Sequence, residues 1–500
     1  MGCGAKPHVG MEIKMSKIKP EVSAKLSQSA RAGIEMTAVA LPAFWSVIQL
    51  FSWWKPPLNT IVFAVMLGVM LPRAMKRVQL SEIHYAIAAF AAGTAAAAGC
   101  GMLIENDNGL RVLGGLLFAV AVALPVWTRR FGDAWKAPGT VFTIPFMAIL
   151  VHPLPLEQNA AYFGWMLAAA AIALLWTIIV KILSSARDIP ITTEPDQVAI
   201  AKPQAIMSST KMAIQLAVAV AAAFACAELV DANHLVWPVL TVLIVHSGNN
   251  GRGDLLWKGA QRTAGALIGV TAASFIAINL PPKNSIEIVA IFGILVFAAA
   301  VREFGYIFWA ACIPAALVFL YSFFGQTGAE LTIHLAHRLL GIAIGSAVGI
   351  ISGYFILPVR MIDVVRLRLS KILSIACDIA ITSARGKTDE ASIERLRMAK
   401  DELLHFKGAA KAARYLGVGA ARRLHGAVNG AYELASHIVS GDIPKGSDDL
   451  AALAKEIGVA RRSLSSEAAG ANNTLTDHPD QLIAYVQAIV TAKLNPKKSE

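Results

Sequence analysis

Residues 83–130 read IHYAIAAFAAGTAAAAGCGMLIENDNGLRVLGGLLFAVAVALPVWTRR. Two apolar runs, Ile83–Ile104 and Val112–Trp127, are each about long enough to cross the hydrocarbon core of a bilayer. The turn between them holds Glu105, Asn106, Asp107 and Asn108, and Arg129 and Arg130 close the second run. An acidic turn at one end and paired arginines at the other is the charge asymmetry of a membrane hairpin whose basic end stays inside.

The same pattern extends in both directions. Upstream lie apolar stretches near Ala32–Trp53 and Leu58–Leu71, the latter followed by Arg73, Lys76 and Arg77. Downstream come Thr140–Val151 and Tyr162–Val180, ending in Lys181. A second train follows: Met212–Val230, Leu235–Val245, Thr263–Leu280, Ile286–Val301, Tyr306–Phe324 and Leu339–Leu357. Basic residues fall after even-numbered spans, and Lys14, Lys17, Lys19 and Lys25 precede the first. The expectation is about twelve transmembrane helices with both termini cytoplasmic.

Composition agrees with a polytopic membrane protein. The chain has 500 residues, 56% hydrophobic and only 16% charged, with mean hydropathy +0.57; a soluble protein would carry about 25% charged residues. The net charge of +12 flanks apolar spans rather than covering one soluble face, so nucleic-acid binding is not expected. The five cysteines, Cys3, Cys100, Cys226, Cys312 and Cys377, have neither metal-ligand spacing nor a disulfide framework. Met1–Ser29 lacks the apolar core of a cleavable signal.

The train divides into halves of matching layout. Ser29-Ala30-Arg31 opens the first and Ser209-Thr210-Lys211 the second, with Glu35 and Gln215 at the same distance beyond. Pro57 with Thr60 matches Pro238 with Thr241, and Pro145 matches Pro314. Six spans is an even number, so the repeats are expected to lie parallel, a plan common in transporters. The organisation expected is thus all-α: a segment 1–30, a six-helix repeat 31–182, a cytoplasmic linker 183–210, a second repeat 211–358 and a helical cytoplasmic domain 359–500. Helical spacing of Val365, Leu369, Ile372, Leu373 and Ala376 supports the last of these.

Two motifs carry candidate chemistry. Arg262-Thr-Ala-Gly265-Ala-Leu-Ile-Gly269 recurs as Arg338-Leu-Leu-Gly341-Ile-Ala-Ile-Gly345, extended to Gly349. Glycines at every fourth position let another helix approach closely. The preceding arginine either faces an anionic substrate, whose carboxylate a guanidinium grips with two bonds, or snorkels to the headgroups. Pro238, Thr241 and Pro314 mark short or interrupted spans, the places where freed backbone groups meet a substrate. The aromatic residues Trp165, Trp237, Tyr306, Phe308, Trp309 and Tyr321 either stack on an aromatic substrate or form interfacial belts.

Three residues are candidates for proton coupling. Glu35 either cycles its charge at membrane depth or pairs with Arg31 one turn away. His334 and His337, one turn apart just before Arg338, either gate protonation near neutral pH or sit at the outer interface.

The stretch Leu235-Val-Trp-Pro238-Val-Leu-Thr241-Val, then Arg252-Gly-Asp, then Trp257-Lys-Gly-Ala-Gln-Arg262-Thr-Ala-Gly265-Ala-Leu-Ile-Gly269 resembles the signature of the fusaric-acid-resistance-type membrane family. That family includes bacterial aromatic carboxylic acid exporters, and the plant aluminium-activated malate channels are similar in their membrane part. The resemblance covers Met212–Pro358 well and Arg31–Val180 weakly, where the Arg-x-x-Gly-x-x-x-Gly motif is missing. It implies a multi-pass exporter of organic acids or xenobiotics in the bacterial inner membrane, driven by the proton gradient. Its implied partners are the lipid bilayer and a small organic anion, with a periplasmic adaptor protein and a homo-oligomer to be tested. Many relatives carry a large cytoplasmic insert between the halves; only Ser184–Ser209 stands there in this chain.

No catalytic residue, cofactor or metal is expected. Gly386-Lys387-Thr388 has Ile381 where a phosphate loop needs its first glycine, and no Ser/His/Asp or dinucleotide pattern is present. Two other functions stay open on sequence: a passive anion channel, and a membrane scaffold acting through 359–500.

Overall fold

In the computed structural model, the described residues run from 31 to 469, except 32, 51–52, 54–57, 77, 79, 105–109, 132–134, 152–158, 186–207, 231–235, 249–251, 278–284, 303–304, 324–327, 358–360, 387–389, 416–418 and 442–446. The segment 1–30, most of the expected linker 183–210, Pro57 and the last part of the expected helical domain 359–500 lie outside them.

The described residues form helices and no strand. A span in lipid has no water to satisfy its peptide groups, and a helix satisfies them all within itself. The apolar helices are α1 (Gly33–Leu50), α2 (Leu58–Met75), α3 (Ile83–Ile104), α4 (Leu110–Thr128), α5 (Lys136–Val151), α6 (Asn159–Ser185), α7 (Ser208–Val230), α8 (Val236–His246), α9 (Arg252–Ala277), α10 (Ser285–Val301), α11 (Tyr306–Phe323) and α12 (Gly328–Phe355). More polar helices follow: α13 (Met361–Ala384), α14 (Glu390–Tyr415), α15 (Gly419–Val439) and α16 (Ser447–Ala469). Among the described residues, 7 helices are long and apolar enough to cross a membrane, and four shorter apolar helices lie in α2, α5, α8 and α10. This is a multi-pass, all-helical membrane protein.

The chain forms two compact units. Of the described residues, one holds those within 31–185, 208–247 and 258–357, and the other those within 248–257 and 361–469. In the membrane unit α3 packs on α5, α2 on α6, α4 on α7, α8 on α12 and α10 on α11. Lipid tails are as apolar as the side chains, so close fit rather than water exclusion holds these pairs together. Alanines and glycines supply it: a Cβ on Gly93 of α3 would lie 2.3 Å from the carbonyl oxygen of Phe142 in α5. Phe118, Phe146 and Phe224 then interlock edge-to-face, with centroids 5.0 and 5.6 Å apart across α4, α5 and α7. Threonines inside helices bond back to the preceding turn, as Thr94 does to Phe90 O at 2.8 Å and Thr177 to Ala173 O at 2.7 Å. Their hydroxyls are thereby satisfied without a partner helix.

Two helices begin earlier than hydropathy suggests. α12 starts at Gly328 and α9 at Arg252, because polar first turns without Pro continue the helix beyond the apolar stretch. Arg338 therefore lies inside α12, about 15 Å along its axis from its first residue, rather than at its head. α8 has 11 residues, about 17 Å, too short to cross the core alone. It is buried almost throughout, from Trp237 to His246, where protein rather than lipid surrounds its ends.

The second unit has its own core, with Leu369, Leu373, Leu396, Leu403, Leu434 and Leu453 all buried. Val365, Ile372 and Ala376 are buried with them. Here α13 packs on α16 and α14 on α15. Gly386 turns with φ +71° after α13, its N–H donating to Ser383 O at 3.0 Å. A glycine closing a helix in this way is a common C-terminal cap.

Candidate functional site

The glycine ridges are contact surfaces. On α12 a Cβ at Gly341 would stand 2.6 Å from Trp237 Cβ, one at Gly345 would stand 2.3 Å from Pro238 O and 2.8 Å from Thr241 Cβ, and one at Gly349 would touch His246 at 3.4 Å. This ridge therefore seats the whole of α8. The α9 ridge does the same for α11: a Cβ at Gly265 would lie 2.8 Å from Ala310 Cβ, and one at Gly269 1.9 Å from Ala311 O. Thr263 Oγ1 donates to Ser346 Oγ at 3.1 Å and joins α9 to α12.

This seating brings Arg338 onto Trp237. Arg338 is 1% exposed, its guanidinium carbon stands 4.1 Å from the Trp237 ring centroid, and none of its three guanidinium nitrogens has a hydrogen-bond partner. Stacking on a desolvated ring is worth about 2 kcal/mol, whereas an uncompensated buried charge costs several. The ring therefore orients the cation without neutralising it. Arg262, 2% exposed with its Nε unpartnered, lies within electrostatic reach of Arg338, as does Tyr321. Tyr306 stands beside Arg262. Arg262 and Arg338, two like charges buried near one another, make this part of the interior electropositive.

A buried acid stands in the same half. Glu287, in the first turn of α10, is 0% exposed. Ser322 Oγ, from the last turn of α11, donates to its Oε1 at 2.5 Å, and its Oε2 has no hydrogen-bond partner. Sequence reading passes over this residue, because a glutamate at a helix start resembles an interfacial anchor. The one available signal is that no other side chain of Ser285–Val301 is ionisable.

The other sequence candidates fall as follows. Glu35 accepts from Arg31 Nε at 3.2 Å in a partly exposed pair. Its counterpart Gln215, 1% exposed, caps α12 by donating to Ile356 O at 2.7 Å and Leu357 O at 3.1 Å. Pro314 is buried inside an unbroken α11. Thr241 and Thr60 are both buried, and each has a hydroxyl without a partner. His337 and Pro238, with Ala227, Val230, Leu340 and Ile344, line a largely apolar cleft of about 160 Å³ where α7, α8 and α12 meet. His334 is partly buried on the same helix. Trp309 stacks under Arg302 at 4.3 Å, and Phe308 is largely exposed.

Two buried arginines, one of them without a hydrogen bond, at a seam of close-packed helices make a candidate anion site in a multi-pass helical membrane protein. Residues 218–352 match the model of a family described as Fusaric acid resistance protein-like. The match supports the family resemblance carried by the motifs around Pro238, Arg262 and Gly265, and falls on α7–α12, where both arginines and Glu287 lie. No curated protein and no solved structure matches the chain.

Proposed function

We propose that the protein is a secondary transporter that exports organic anions, aromatic or hydrophobic carboxylates, across the bacterial inner membrane with both termini cytoplasmic. The observation that carries this reading is Arg338: a fully buried guanidinium, oriented by Trp237 and without a hydrogen bond. A carboxylate supplies the charge and the paired acceptors it lacks. The apolar cleft beside Pro238 and Gly341 suits the uncharged body of such a molecule.

The contacts also support a twelve-span plan of two parallel repeats. α3 meets α5 through Gly93 as α9 meets α11 through Gly269, and α2 packs on α6 as α8 does on α12. α4 packs on α7 as α10 does on α1, where Phe44 and Phe292 lie 5.5 Å apart. Arg130 stacks on Trp127 at 4.9 Å after α4, as Arg302 stacks on Trp309 near the end of α10.

The test is uptake into liposomes holding the purified full chain, with benzoate as the acid probe and benzamide as its neutral analogue. Arg338→Gln should reduce benzoate transport about tenfold or more, the value of one charge-assisted bond, and leave benzamide movement little changed. Arg338→Lys should recover part of the loss, because an ammonium lacks the planar fork. Equal loss for both probes would leave Arg338 as a structural residue. Benzoate flux indifferent to an imposed pH gradient would favour a passive channel.

A further inference from the structure

We propose that Glu287 is a proton-binding site of the membrane unit. Its Oε2 takes up and releases a proton while Oε1 keeps the hydrogen bond from Ser322, and this cycle couples anion movement to the proton gradient. The coupling role rests on the transport reading above; the proton site itself does not.

The geometry supports it in three ways. First, the carboxyl group is fully buried and only half satisfied. A lone carboxylate in an apolar interior is costly unless paired, and a proton on the free oxygen removes the charge without breaking the Ser322 bond. Second, among the described residues no fixed cation forms an ion pair with it. α10 has no other ionisable residue. The helices that form the apolar cluster beside it are α9, α11 and α12. Their described ionisable side chains along the membrane-spanning part are Arg262 on α9, Tyr306, Cys312 and Tyr321 on α11, and His334, His337, Arg338 and Tyr354 on α12. Of the helices on the other face of α10, α1 contributes Glu35, already paired with Arg31, and α2 contributes Arg73. Third, Ser322 is the chain neighbour of Tyr321, which lies within electrostatic reach of Arg338. An anion arriving at Arg338 therefore alters the field along α11, next to the hydroxyl that holds Glu287. Proton release and anion binding can then exclude or favour one another without direct contact.

Infrared difference spectra of the purified full chain in lipid, recorded between neutral and acidic pH, test the proton site without any substrate. The wild type should show a protonated-carboxyl band that Glu287→Gln lacks and that Ser322→Ala shifts, through loss of the hydrogen bond. Identical difference spectra for wild type and Glu287→Gln would overturn the proposal. If the glutamine variant does not fold, an unshifted band in Ser322→Ala overturns it. Coupling is tested in liposomes with benzoate. Glu287→Gln should retain benzoate–benzoate exchange and lose the acceleration that a pH gradient gives, whereas Arg338→Gln should lose both. Loss of exchange in folded Glu287→Gln, a retained response to the pH gradient, or acceleration by a sodium gradient instead would each overturn the coupling role. If the wild type does not move benzoate, the transport reading fails, and the infrared result still decides whether Glu287 holds a proton.

Discussion

The two halves of the membrane unit use similar helix pairings but treat buried charge in opposite ways. In the first half the interior cation is Lys181, whose ammonium donates to Met75 O at 2.7 Å and Val78 O at 2.6 Å. It thereby satisfies Val78 O just beyond the C-terminal end of α2 and adds a second donor to Met75 O, which also accepts from the Val78 N–H at 3.1 Å. Glu35 also lies within electrostatic reach of that ammonium, and the core of that half is apolar, with Leu67, Phe90, Phe118 and Phe146 all buried. In the second half Arg338 is buried with no such partner, and Glu287 keeps one oxygen unpaired. A polar group held in an interior without compensation is retained against its own cost, which is the mark of a site rather than of a scaffold. The first half therefore reads as the scaffold of the pair, and the second as the half where chemistry is placed.

Packing is where the halves should behave alike. Gly93→Leu and Gly269→Leu each drive a side chain into backbone, at 2.3 Å from Phe142 O and 1.9 Å from Ala311 O. Each should cost about 3 kcal/mol or more and abolish most folded protein. Gly99→Leu and Gly164→Leu, with nothing within 4 Å, should fold near normally. Size-exclusion profiles of fluorescent fusions measure this directly. Tolerance of leucine at Gly269 but not at Gly93 would show that the second half is loosely packed, and would break the equivalence of the two scaffolds.

Charge is where they should differ. Lys181→Met leaves Val78 O without its donor and should destabilise by about 1–3 kcal/mol. Arg338→Met removes an uncompensated charge and should be neutral or stabilising, by about 1–4 kcal/mol, while eliminating anion transport. Thermal unfolding in detergent, read with benzoate uptake, separates the two. A destabilised Arg338→Met would mean that the guanidinium is a structural brace, and the contrast between the halves would collapse.

What is legible in the sequence follows from what is one-dimensional. Apolar runs, the sides on which arginines fall and the four-residue spacing of Gly341, Gly345 and Gly349 are all properties of a single segment. They are enough to read an all-helical membrane fold and to mark the ridges. The site depends on which face of one helix meets which face of another. Arg338 meets Trp237 only because the ridge seats α8, and Glu287 is buried only because α10 turns it toward Ser322 on α11. A glutamate shortly after Lys283 and Asn284 carries the local signature of an interfacial anchor. Glu35 carried the opposite signal, an acid inside an apolar run, yet Arg31 one turn back holds it at a partly exposed edge.

That last pair sharpens the comparison at its smallest scale, because Glu35 and Gln215 occupy matching places in the two halves. Gln215 is buried and spans two carbonyls at the end of α12. One of them belongs to Leu357, the only residue other than glycine with positive φ among those described, at 42°. That conformation costs a side-chain-bearing residue about 1–2 kcal/mol, so the cap supports a strained exit from the helix. Gln215→Ala should therefore destabilise by about 1–3 kcal/mol. Glu35→Gln removes a pair in which Arg31 is 48% exposed; water and salt screen it, so the change should stay below about 0.5 kcal/mol and leave pH-driven benzoate uptake intact. A transport defect in Glu35→Gln at normal stability would place proton handling in the first half as well, and the division of labour between the halves would have to be given up.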